Sequence, residues 1–68
     1  MKTAHLVGSF ETDVSLAASW LRLNKAISSA GDYTKRDNVY LLRVRLLKTR
    51  KEVTELLSAR FGRFVQLR

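Results

Sequence analysis

The chain has no cysteine and no proline, and in 68 residues it has one histidine, one tryptophan and three glycines. Without cysteine there is no disulfide and no thiolate metal site, and His5 alone cannot supply the clustered imidazoles that zinc needs. No metal and no cofactor is expected. Acids are scarce too, six against thirteen lysines and arginines. There is no glycine-rich phosphate loop, no dinucleotide fingerprint and no serine motif that would recruit His5. A non-enzymatic protein is expected. A small basic nuclease of the toxin type is disfavoured because no acid–base pair is visible. Long apolar runs are also missing, so no segment reaches bilayer length. The first eight residues hold one lysine and no extended apolar stretch, which makes a poor secretory signal. A cytoplasmic location with no membrane partner is expected.

What is present is a 46% hydrophobic composition, enough for a globular core and too much for general disorder. Residues 1–68 make a single small domain. A domain of this size buries a modest share of its surface, and with no disulfide or metal a homodimer is the remaining source of added stability.

The charge is unevenly distributed. Residues 1–34 balance Lys2, Arg22 and Lys25 against Glu11, Asp13 and Asp32, whereas the whole net charge of +7 falls in residues 35–68. A one-sided positive field attracts polyanions, either nucleic acid or an acidic protein surface.

Residues 4–10 alternate as a strand, with Ala4, Leu6, Gly8 and Phe10 on one face and His5, Val7 and Ser9 on the other. Residues 13–30 read as a helix, because Leu16, Trp20, Leu23, Ile27 and Ala30 form a continuous apolar stripe that Val14, Ala17 and Leu21 widen. Trp20 is expected in the core, and Gly31 is placed to end the helix. Residues 31–38 read as a polar loop, in which Lys35 and Arg36 are solvated. Residues 39–47 read as a strand with Tyr40, Leu42, Val44 and Leu46 inward and Arg43 and Arg45 outward. Thr49 to Glu52 matches a capping box at the start of a second helix with Val53, Leu56, Leu57 and Phe61 on its apolar face, ended by Gly62. Residues 63–67 read as a last strand. The expected fold is thus α+β (or small α/β), a β-α-β-α-β two-layer sandwich with both helices on one face of a three-stranded sheet. Since no Pro or Gly interrupts residues 38–61, an all-α helical hairpin, dimeric, is the alternative.

Three groups are candidates for binding. Lys48, Arg50 and Lys51 surround the Thr49 cap, where a helix start favours anions, so a phosphate there would resolve the conflict. Pairing of Lys48 and Lys51 with Glu52 and Glu55 is the competing explanation. Arg43 and Arg45 form a basic strand face among Val39, Leu41 and Leu47. Arg60, Arg63 and Arg68 extend the basic surface, with Phe64 as a stacking platform. The run from Arg60 to Val65 echoes an RNA-binding motif out of register and carries no weight. The sequence therefore favours nucleic-acid binding through the C-terminal half. The alternative is a small regulator or inhibitor of the phage or plasmid type, docking the same cations on an acidic surface of a larger protein machine.

Overall fold

A computed structural model describes residues 2–68, with side chains for all of them except Ser29; Met1 of the leading segment lies outside the described residues. The elements run β1 (Thr3–Gly8), α1 (Glu11–Leu23), β2 (Ile27–Arg36), β3 (Val39–Leu46), α2 (Arg50–Phe61) and β4 (Val65–Leu67). The strands form one sheet in the order β2-β3-β1-β4, and every neighbouring pair is antiparallel. Two antiparallel steps separate β1 from β2, and likewise β3 from β4, so each of those pairs runs parallel with one strand between. The chain is two interleaved split β-α-β units, the ferredoxin-like arrangement.

The three-stranded β-α-β-α-β sandwich expected from the sequence is corrected to four strands in the order β-α-β-β-α-β. The all-α hairpin is overturned as well, since residues 39–46 pair as a strand with both β1 and β2. The missing strand is β2, which the sequence reading divided between the tail of a helix and a loop. Its pairing explains the error. Ile27, Ala30 and Tyr33 oppose Leu46, Val44 and Leu42, so β2 advances three residues for every two of β3, through two bulges. Inward residues then recur every third position and extend the helical stripe of α1 without a visible break. The turn that follows is equally compact. Asp37 and Asn38 have φ of 49° and 66°, as a two-residue type I′ hairpin requires.

Helix α1 stops at Leu23, well before Gly31. Lys25 takes the left-handed conformation at φ 55°, its N–H donates to the Arg22 carbonyl, and the Ala26 N–H donates to the Leu21 carbonyl at 2.8 Å. This is a Schellman ending with lysine where glycine is usual. Asn24 adds a side-chain bond, Nδ2 donating to the Trp20 carbonyl at 2.8 Å. At the other helix, Thr49 Oγ1 accepts from the Glu52 N–H at 3.3 Å and its hydroxyl donates to Glu52 Oε1 at 3.0 Å, so α2 starts at its threonine cap.

Both helices cover one face of the sheet. The core joins Ala4, Leu6, Leu42, Val44 and Val65 from the strands to Val14, Ala17, Leu21, Val53 and Leu57 from the helices. Gly8 permits the close seating of α1 on β1, because a Cβ there would lie 2.8 Å from Val14 Cγ2 and 3.1 Å from the Phe64 carbonyl oxygen. Two expected core features are corrected. The buried side of α1 is Val14, Ala17, Ala18 and Leu21, while Leu16 and Leu23 are 56% and 81% exposed and Trp20 is half-buried. Phe10, placed on the same strand face as Ala4 and Leu6, lies beyond the end of β1 and is 65% exposed.

Candidate nucleic-acid interface

The helices leave the second face of the sheet open. Residues on it are set by strand alternation and register. On β3, burial alternates so that Leu42, Val44 and Leu46 are inward and Arg43 and Arg45 are exposed. Arg43 pairs across to His5 of β1, Arg45 to Thr3 and Leu41 to Val7. On the other side of β1, the ladder continues one residue past β4. The His5 N–H donates to the Arg68 carbonyl at 2.7 Å, and the Arg68 N–H donates back to the His5 carbonyl at 2.8 Å. Arg68, His5 and Arg43 therefore stand side by side on three adjacent strands, a row about 10 Å long at the usual strand spacing.

Beside this row lie Val7 and Leu41, with Gln66 opposite Val7 on β4 and Thr34 opposite Leu41 on β2. His5, Leu41 and Arg43 line a shallow depression together with Gly31, Asp32, Thr34 and Arg36. Its charge is dominated by guanidinium, with Asp32 the one acid in its lining. The surface is thus a cationic row beside the partly exposed Leu41, with planar groups in His5 and the arginines and with Val7 buried between them. It can meet phosphates and the flat faces of unpaired bases. Arg45 adjoins the row but already has a partner within the chain.

The ten residues singled out in the sequence do not form one patch. Arg43, Arg45 and Arg68 come together on the open face. Lys48, Thr49, Arg50 and Lys51 sit at the start of α2, in the helix layer. There the Glu52 N–H is satisfied by Thr49, and Lys48 shares a surface recess with Glu52 and Glu55. Thr49 and Glu52 cap each other there, and Glu52 and Glu55 adjoin Lys48, so the helix start has acids close to its cations. Arg60, Arg63 and Phe64 lie at the far end of α2, about 18 Å away along a 12-residue helix. Arg60 is committed to Trp20, its guanidinium 4.8 Å from the ring centroid, and Phe64 is 69% exposed just before β4.

His5, Val7 and Arg36 were not among the sequence candidates for this surface, whereas Leu41 was placed on the same strand face as Arg43 and Arg45. His5 belongs to β1, an interior strand between β3 and β4, so it stands in the middle of the sheet and not at an edge. Alternation had placed His5 and Val7 opposite the core-facing residues. Only the strand order shows that they adjoin the arginines. Arg36 was assigned to a loop, but it ends β2 and lines the depression, while Lys35 on the other face sits 5.6 Å over the Tyr40 ring. Among the described residues, no group of three His, Cys, Asp or Glu is placed to hold a metal, and no helix is long and apolar enough to cross a membrane.

The fold and this surface define a small α+β domain with one covered and one open, basic sheet face. No family model, curated protein or solved structure matches the chain.

Proposed function

We propose that the protein binds single-stranded nucleic acid on the open face of its sheet, without catalysing a reaction, and acts in the cytoplasm. The observation that carries this reading is the Arg68–His5–Arg43 row across β4, β1 and β3. A four-stranded sheet surface is about 14 Å wide, room for two or three splayed nucleotides. Arg43, Arg68 and Arg36 would take phosphates or stack on bases. His5 and Leu41 would contact base faces. A duplex offers that surface only its backbone, because paired bases are stacked away from it and a sheet face does not enter the major groove as a helix does. Binding is expected to favour single strands of either DNA or RNA.

Fluorescence anisotropy with labelled single-stranded and duplex oligonucleotides of one length tests this. Tighter binding to the single strands, lost in Arg43→Ala/Arg68→Ala, is the expected result. Equal affinity for duplex, or no change in the double variant, refutes it. In that case an acidic protein surface becomes the partner to seek, by a pull-down that survives nuclease treatment.

A further inference from the structure

Helix α1 has apolar residues on two opposite sides. Val14, Ala17, Ala18 and Leu21 face the core, while Leu16, Trp20 and Leu23 form a second stripe about 150° round the helix. Leu16 and Leu23 are exposed, and with Ser19, Trp20, Arg60 and Phe61 they line an open groove. Trp20 is fixed at its base, with Nε1 donating to the Leu56 carbonyl at 3.4 Å and the Arg60 guanidinium over the ring. Folding of the single chain leaves Leu16 and Leu23 in water beside the half-buried Trp20, and contiguous apolar surface of this kind marks an interaction site.

Two features identify what covers it. The first is charge. In a chain of net charge +7, α1 carries two acids and one base, and Arg60 is the one charged side chain among the described residues lining the groove, so this face opposes another copy of the same cationic molecule less than the basic regions do. The acids, Glu11 and Asp13, lie in the first turn, whereas Arg22 and then Lys25 lie at the opposite end. Antiparallel crossing of two α1 helices brings acidic end to basic end and opposes the helix dipoles, while parallel crossing sets like against like. The second feature is self-complementarity. Leu16 and Leu23 are equidistant from a point between Ser19 and Trp20. A two-fold axis there puts each Leu16 against the other copy's Leu23 and each Trp20 over the other copy's small Ser19, as an isologous interface requires.

We propose that the protein forms a symmetric homodimer through the outer stripe of α1, the two helices crossing antiparallel about Ser19 and Trp20. The contact is one helix wide and smaller than the roughly 800 Å² per partner of a standard interface, as weak and transient associations are. Because α1 covers the face of the sheet opposite Arg43, both open faces remain accessible in the dimer.

Sedimentation equilibrium across a concentration series measures the association. The expected mass rises from the 7.8 kDa of one chain to twice that value, and Leu16→Asp/Leu23→Asp stays monomeric with an unchanged circular dichroism spectrum. Both leucines are exposed, so this variant keeps the core. Geometry is tested by cysteine scanning in a chain that has no cysteine of its own. Ser19→Cys is expected to cross-link to itself under mild oxidation by copper phenanthroline, since the two positions lie within one residue of the axis. Glu11→Cys is expected not to, being about 25 Å from its mate along the paired helices. A wild-type chain that stays monomeric to half-millimolar concentration overturns the proposal, as does a dimer that survives the double aspartate variant. So does cross-linking of Glu11→Cys in preference to Ser19→Cys.

Discussion

Salt dependence separates the open sheet face from every other basic region of this molecule. Arg36, Arg43 and Arg68 are the cations of that face taken as phosphate contacts, Arg45 being engaged within the chain. Each phosphate neutralised on a single strand contributes about −0.7 to the slope of log affinity against log salt, so three contacts give about −2.1. Raising salt about fourfold, from about 50 to about 200 mM, then lowers wild-type affinity about 18-fold. In Arg43→Ala/Arg68→Ala one contact remains, the slope falls to about −0.7, and the same rise costs less than threefold in affinity. Arg50→Ala/Lys51→Ala removes two charges as well, but at the capped start of α2 in the helix layer, and the slope is expected to stay at its wild-type value. Anisotropy titrations at four salt concentrations with one single-stranded oligonucleotide give all three slopes. Equal slopes for the wild type and the Arg43/Arg68 variant refute the placement of the phosphates, and a loss of slope confined to the Arg50/Lys51 variant moves the site to the α2 start.

Two further expectations concern the fold and are read by urea denaturation at low micromolar protein concentration. Leu21→Ala opens a cavity under α1 and is expected to lower stability by about 2–5 kcal/mol, whereas Leu16→Ala on the outer stripe changes it by no more than about 0.5 kcal/mol; equal losses would mean that the faces of α1 are assigned wrongly. Lys25→Gly relieves a left-handed lysine at the Schellman ending and is expected to raise stability by about 1 kcal/mol, so a destabilised variant would contradict the conformation at Lys25.

Local chemistry marked some elements clearly in the sequence. The Thr49–Glu52 pair announced the start of α2 and Gly62 its end, because capping depends on side chains within four residues of the helix terminus. The alternation of residues 39–46 showed which side of β3 is buried, since successive strand residues point to opposite faces. It also put Arg43 and Arg45 outward. The stripe from Leu16 to Ala30 misled for a physical reason. Periodicity reports where apolar residues are, not which of two apolar faces meets the core. Beyond Leu23, the two bulges of β2 gave a strand the three-residue spacing of a helix.

The amino-acid sequence by itself favoured α+β over an all-α hairpin while missing one strand, and determined a basic C-terminal half, a threonine-capped second helix and a strand with arginines on one side. Those properties follow from near neighbours in the chain. Only the tertiary structure decided that β1 lies between β3 and β4, and with it the juxtaposition of His5, Arg43 and Arg68, which are 38 and 25 positions apart along the chain. It also decided that Lys48–Lys51 and Arg60–Phe64 stand at opposite ends of α2, and that Leu16 and Leu23 face away from the core while Trp20 is half-buried against it. Strand order and the choice of buried helix face are set by which surfaces pack together with least cavity and strain. That competition is between residues distant in sequence, and no local pattern records its outcome.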